Sequence, residues 1–141
     1  MPTTNHEAGD LLFLDANVLF SAAYREYSGL LRLWNLKNAK LVTSPYALDE
    51  ARRNLREDEQ KARLDKLVQA IKVTEELSQG KELPPHIDLP QKDRPILIAA
   101  IEARATHLIT GDFRDFGKYY GQKINGVTIL PPADYLKSKK K

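Results

Sequence analysis

Carboxylates recur in this chain at one kind of place, the seam between a short apolar run and the polar stretch after it. Asp15 ends the run Leu11-Leu12-Phe13-Leu14, and Asp112 follows Thr106-His107-Leu108-Ile109-Thr110-Gly111. Asp115 stands about one helical turn beyond Asp112. Glu50 lies in the second turn of a stretch that opens at Ser44-Pro45, and Asp93 comes just before Arg94-Pro95. Taken singly, each acid has a local reason: Asp15 and Asp93 as helix caps, Asp112 as a turn residue beside Gly111, Glu50 as an acid favoured near a helix N-terminus. Their shared position has no such reason. Carboxylates gathered at one edge repel and raise one another's pKa, and a divalent cation removes the conflict. The chain has no cysteine, and His6, His86 and His107 are not paired at ligand spacing. An oxygen-only donor set points to Mg²⁺ or Mn²⁺.

The elements that must deliver these acids are legible as hydrophobic pattern. Leu11 to Leu14 reads as a strand buried on both faces, and Asp15-Ala16-Asn17 opens a helix running to about Lys37 with a break near Ser28-Gly29. Lys40 to Thr43 is a second strand. Ser44-Pro45 is a cap and first-turn proline, after which the pattern stays helical, as two helices, to about Gly80. In the first of these, Ala47, Ala51 and Leu55 mark the inward stripe. Glu50 flanks that stripe, whereas Asp49 is further round, nearer Arg52 and Arg53. Pro84, Pro85 and Pro90 make residues 80–92 an extended loop. A helix from Pro95 to about Ala105 and a strand ending near Thr110 follow, then a short helix over 114–120, a turn at Asn125-Gly126, a strand to Leu130 and a half-turn over 133–136. Strands separated by helical crossovers imply a three-layer α/β/α sandwich with a mainly parallel sheet, in which acids after different strands reach one edge.

Length and composition fit one domain, expected over residues 1–136, with a basic tail at 137–141. The formal charge of +3 invites a nucleic-acid reading, yet the tail lysines carry it; without them the 19 acids outnumber the basic residues. The N-terminus is polar and acidic, unlike a secretory signal, and no apolar run approaches a membrane span, so a cytoplasmic home is the expectation.

At this point the sequence resembles the PIN domain, the small metal-dependent ribonuclease fold used by VapC-type toxins. The resemblance rests on Leu14-Asp15-Ala16-Asn17-Val18-Leu19, on Ser44-Pro45 through Glu50, on residues 93–100 and on residues 108–117, in the family's order. It implies Asp15, Glu50, Asp93 and Asp112 as the acidic metal-binding and catalytic set, with Asp115 as a less constant fifth member. It also implies Asn17 and Thr110 as polar supports. RNA phosphodiester hydrolysis, a homodimer and an antitoxin partner are what the family implies; none follows from spacing. Arg94 and Arg114, with Lys92 and Arg104, are the basic residues near the motifs that could position phosphates. Tyr24, Tyr27, Leu30 and Leu31, around the Ser28-Gly29 break, are candidates for an exposed groove that holds a peptide or a second copy.

Two other readings compete. An aspartyl-nucleophile phosphatase of the haloacid-dehalogenase type needs a second aspartate where this chain has Asn17, which cannot serve as the acid. A non-catalytic RNA- or protein-binding module of the same fold would leave the acids structural, at an electrostatic cost.

Overall fold

The structure, a computed structural model, describes residues 9–75 and 82–139. The chain opens with β1 (Asp10–Leu14) and α1 (Ala16–Tyr24), then a 3-10 segment (Gly29–Asn35), β2 (Ala39–Thr43), α2 (Pro45–Asn54), α3 (Asp58–Val68) and β3 (Ile71–Val73). After the proline-rich loop come α4 (Arg94–Glu102), β4 (His107–Ile109), α5 (Phe113–Phe116) running into a 3-10 turn (Gly117–Tyr119), β5 (Lys123–Ile124), β6 (Val127–Leu130) and α6 (Pro132–Ser138).

The strands form one sheet in the order β3-β2-β1-β4-β6-β5, parallel except for the β5–β6 hairpin. Leu12, Phe13 and Leu14 have no exposed surface, because β1 is central and helices cover both faces. That is the expected α/β/α sandwich. From β1 the chain builds outward through β2 and β3, then returns to the other side of β1 to add β4. In an open parallel sheet, the crevice outside the strand ends at such a reversal is where ligands bind. Here the reversal lies between β1 and β4, paired in register as Leu12–His107, Phe13–Leu108 and Leu14–Ile109. The Asp15 amide extends this ladder by one bond, donating to the Ile109 carbonyl at 3.1 Å.

Several element boundaries depart from the sequence expectation. The first helix stops at Tyr24, and the apolar stretch beyond Ser28 is a 3-10 segment capped by the Ser28 hydroxyl on the Leu30 amide. Ile71, expected inside the second of the two helices that run to about Gly80, instead starts β3, which pairs with β2 at the sheet edge. In three residues alternation and helical period cannot be told apart, and pairing to a neighbouring strand decides. The helix after Pro95 ends at Glu102, short of Ala105. Arg104 takes a left-handed φ of 59°, and the amides of Arg104 and Ala105 turn back to the carbonyls of Ile101 and Ala100. Asn125 and Gly126, at φ of 48° and 91°, make the two-residue hairpin turn that pairs β5 with β6. Nor does the stretch after Leu136 begin as a free tail. Helix α6 continues to Ser138, and Lys139 pairs with Asp10 at 3.0 Å. His6, residues 76–81 (including the start of the expected loop), Lys140 and Lys141 lie outside the described residues.

Candidate active site

The ends of β1 and β4 are tied together by a small polar network. Asp15 is 4% exposed, and both its carboxylate oxygens are occupied. Oδ1 accepts the Ala16 amide at 2.6 Å, and Oδ2 accepts the Thr110 hydroxyl at 2.8 Å and the Asn17 amide nitrogen at 3.1 Å. The other end of Asn17 accepts the Gly111 amide at 2.8 Å. A Cβ on Gly111 would stand 3.3 Å from that same oxygen, so the absence of a side chain keeps the contact unstrained. The Thr110 hydroxyl also accepts the Asp112 amide at 3.1 Å, and its carbonyl is held by the Tyr120 hydroxyl at 2.8 Å.

Asp112 then caps α5, accepting the Asp115 amide at 3.2 Å, which turns Asp115 back towards the strand ends. Asp93 arrives from the N-terminus of α4. It occupies the cap position, yet its side chain makes no capping bond and is buried beside Asp115. Asp93, Asp112 and Asp115 each bring a carboxylate oxygen within 4.8 Å of the other two. Asp15 and Glu50 do not join that trio, but they line the same open depression of about 530 Å³ as Asp93 and Asp112. Glu50 comes from α2, and among the described residues its carboxylate has no hydrogen bond or ion pair. Asp49 is turned away, bound to Arg53 at 3.0 Å. Of the two neighbours, Glu50, which flanks the Ala47-Ala51 stripe, lines the depression, and Asp49 does not.

The electrostatics follow from burial. Removal from water pushes the Asp15 carboxyl up to about 6; the Thr110 and Ala16 hydrogen bonds oppose this, and the charges of Glu50 and Asp112 add to it. Asp93 is also raised, first by burial and then by the hydrogen bond it shares with Asp115. Asp115 is lowered, chiefly by that same bond. Part of the repulsion is answered from within the chain. The Lys92 ammonium lies 3.3 Å from Asp93 and 3.5 Å from Asp115, and the Tyr46 hydroxyl fixes its backbone carbonyl at 2.7 Å.

This donor set fits a hard divalent cation. It is all oxygen, and the Asp93–Asp112–Asp115 trio brings one carboxylate oxygen from each residue within 4.8 Å of the others, near enough to serve a single small ion. Three carboxylates leave room for the waters that Mg²⁺ retains.

A family model described as the PIN domain matches residues 12–114, a span that contains Asp15, Glu50, Asp93 and Asp112. The chain belongs to the PIN domain family. Two solved structures share its fold. A chain of VapBC2 from Rickettsia felis, crystallised bound to a DNA fragment from their promoter, has a TM-score of 0.66 at 15% identity, covering 86% of this chain and 98% of that one. VapC20 of Mycobacterium tuberculosis, a sarcin-ricin loop cleaving toxin, has a TM-score of 0.51 at 14% identity, covering 72% and 92%. No curated protein matches in sequence.

Within this PIN domain the sequence reading passed over some walls of the depression. Asn54 stands one turn after Glu50 and donates to its backbone carbonyl at 3.0 Å; their i, i+4 spacing was the available signal. Phe20, one turn after Ala16 and Asn17, closes the side towards α1. Of the basic residues near the motifs, Lys92 borders the depression, while Arg94 and Arg114 are not among its walls. No helix of the described residues is long and apolar enough to cross a membrane.

Proposed function

We propose that this PIN domain is a metal-dependent endoribonuclease that hydrolyses RNA phosphodiester bonds. The observation that carries the reading is the convergence of Asp93, Asp112 and Asp115 within 4.8 Å, beside buried Asp15 and half-buried Glu50, where the strand order reverses. VapC20, which shares the fold, is named as a toxin that cleaves the sarcin-ricin loop, and this supports RNA as the substrate class.

In this account Asp93, Asp112 and Asp115 hold Mg²⁺ or Mn²⁺, with Asp15 and Glu50 completing the acidic wall. The cation, when bound, supplies a nucleophile at neutral pH and relief of charge on the phosphoryl oxygens. Asp15 is the fixed member, since three neighbouring groups hold its oxygens, the Ala16 amide, the Thr110 hydroxyl and the Asn17 amide, and Gly111 in turn locks Asn17. Glu50, with no bond to give up, accepts the proton of the attacking water. Lys92, released from Asp93 and Asp115, contacts a phosphate oxygen of the strand; Arg94 and Arg114 serve the flanking phosphates.

The reading extends to partners. The R. felis relative is solved as a VapBC2 assembly, which supports an antitoxin that binds this chain; the homodimer as the working unit is carried over from the family resemblance alone. Sedimentation of the isolated chain as a monomer at high concentration would refute the dimer.

The test uses purified protein freed of any bound inhibitor, with a panel of end-labelled RNAs. Cleavage should appear with Mg²⁺ or Mn²⁺, stop with chelator, return on re-addition of metal and leave 5′-phosphate ends. Intact RNA under all these conditions would favour the non-catalytic binding module.

A further inference from the structure

A second depression, of about 570 Å³, adjoins the first. Phe20 lines both, so the two share a wall. Its character is opposite to that of the acid site. Arg25, Arg32 and Lys137 border it, no acid does, and among the described residues none of these three cations pairs with a carboxylate within 4.0 Å. All three are exposed. Unpaired cations around a groove create an uncompensated positive field, which an anionic chain would neutralise with release of its counterions.

The groove also carries aromatic rings in sequence away from the acids. Along α1, Asn17 touches the acid network, Phe20 forms the shared wall and Tyr24 lines the second groove, 52% exposed. The Phe20 and Tyr24 rings lie 5.3 Å apart, tilted by 33°. At 1.5 Å per residue the path from Asn17 to Tyr24 is only about 10 Å, within reach of neighbouring nucleotides on one strand. Tyr24 is firmly mounted, since its carbonyl accepts Gln60 at 3.2 Å and Arg63 at 3.3 Å, while Arg63 also binds the Ala23 carbonyl at 3.0 Å. A positive groove with fixed aromatic faces is how proteins hold single-stranded nucleic acid without reading its sequence.

We propose that this groove, between α1, the 3-10 segment and α6, holds single-stranded RNA flanking the scissile bond. Arg25, Arg32 and Lys137 engage the phosphates and Tyr24 stacks on a base. The proposal rests on the nuclease reading for the identity of the strand, and it goes beyond that reading in assigning a second, non-cleaving subsite.

The experiment measures binding, not cleavage. A fluorescein-labelled single-stranded RNA of about 15 nucleotides and mixed sequence is titrated with the full chain in chelator, and anisotropy is followed at several salt concentrations. The Arg25→Glu/Arg32→Glu double variant should bind at least ~10-fold more weakly than wild type. Neutralising two phosphate contacts should also flatten the slope of log affinity against log salt by about 1.4. Lys72→Glu/Lys123→Glu makes the same charge change on the two edge strands and should bind distinctly more tightly than the groove variant. Tyr24→Ala should lose about 5-fold or more and Tyr24→Phe should recover it, because the ring and not the hydroxyl does the stacking. Equal weakening by groove and edge reversals would mean a diffuse charge effect and would overturn the proposal. So would full-strength binding by the groove variant, while the cleavage test of the acid site would be untouched. Binding of a poly-glutamate peptide through Arg25 and Arg32, with no RNA binding by wild type, would overturn it in favour of a protein partner.

Discussion

The hydroxyl of Thr110 donates to Oδ2 of Asp15 at 2.8 Å, joining the ends of two neighbouring parallel strands through a buried carboxylate. This bond opposes the burial that raises the Asp15 pKa. Thr110→Val keeps the shape and removes it. The variant should lose about 1–3 kcal/mol in urea denaturation at pH 7, the range for orphaning a buried polar group. Its Asp15 carboxyl should titrate higher than in wild type when followed by NMR. Thr110→Ser should restore both. Unchanged titration in the valine variant would show that the bond does not govern Asp15.

The raised pKa of Asp15 also fixes the sign of a pH effect. Between its ordinary value of 3.8 and about 6, the folded chain holds this proton more tightly than the unfolded chain. Asp15 therefore destabilises the metal-free fold above about pH 6, and that penalty is relieved as the pH falls towards 4. The full effect is on the order of 2–3 kcal/mol. Burial lowers the His107 pKa, so His107 acts with the opposite sign over part of this range. The readout is accordingly the difference between wild type and Asp15→Asn in chelator, and wild type should gain on the variant from pH 7 to pH 4.5. Parallel curves would contradict the burial argument.

Lys92 stands where it partly neutralises Asp93 and Asp115. Millimolar Mn²⁺ should raise the melting temperature of wild type by several degrees, since a ligand held only by the folded state stabilises it by ~2.7 kcal/mol at a hundred times its Kd. Lys92→Ala removes a competing positive charge and should bind Mn²⁺ more tightly in calorimetric titration. Weaker binding by this variant would mean that Lys92 organises the acids.

Arg104 occupies the left-handed position after α4, where glycine carries no Cβ penalty. Arg104→Gly should be neutral to stabilising, by up to about 1 kcal/mol, because relief of the strained φ offsets the extra freedom glycine gains on unfolding. A loss above about 1 kcal/mol would point to a packing role for the arginine.

How much of this was legible beforehand depended on the range of the interaction that decides each feature. β1 could be read because a continuous apolar run ending at Asp15 has few other meanings, and Asn125-Gly126 because the hairpin turn needs positive φ. Helix α1 was drawn too long, since the residues after Ser28 keep an apolar pattern while their backbone follows the tertiary contacts of a 3-10 segment. β3 was missed because three residues carry no readable period. At the site, Asp15, Glu50, Asp93 and Asp112 were placed by position relative to strand ends and helix starts, and all four line one depression. The bridging of Asp93 and Asp115 by Lys92 was not readable. It depends on how the loop before α4 folds against Tyr46, and no local pattern encodes that.

The central claim is that these carboxylates form one metal-dependent site that cleaves RNA. Its most direct test is the rate of RNA cleavage with saturating Mn²⁺ by wild type and by Asp112→Asn, prepared identically and matched for fold by circular dichroism. The account predicts cleavage by wild type and a loss of about 100-fold or more in the variant, as expected when a carboxylate that would hold the charge-relieving cation is removed. Equal rates in the two preparations would contradict it, because the cleavage would then arise elsewhere.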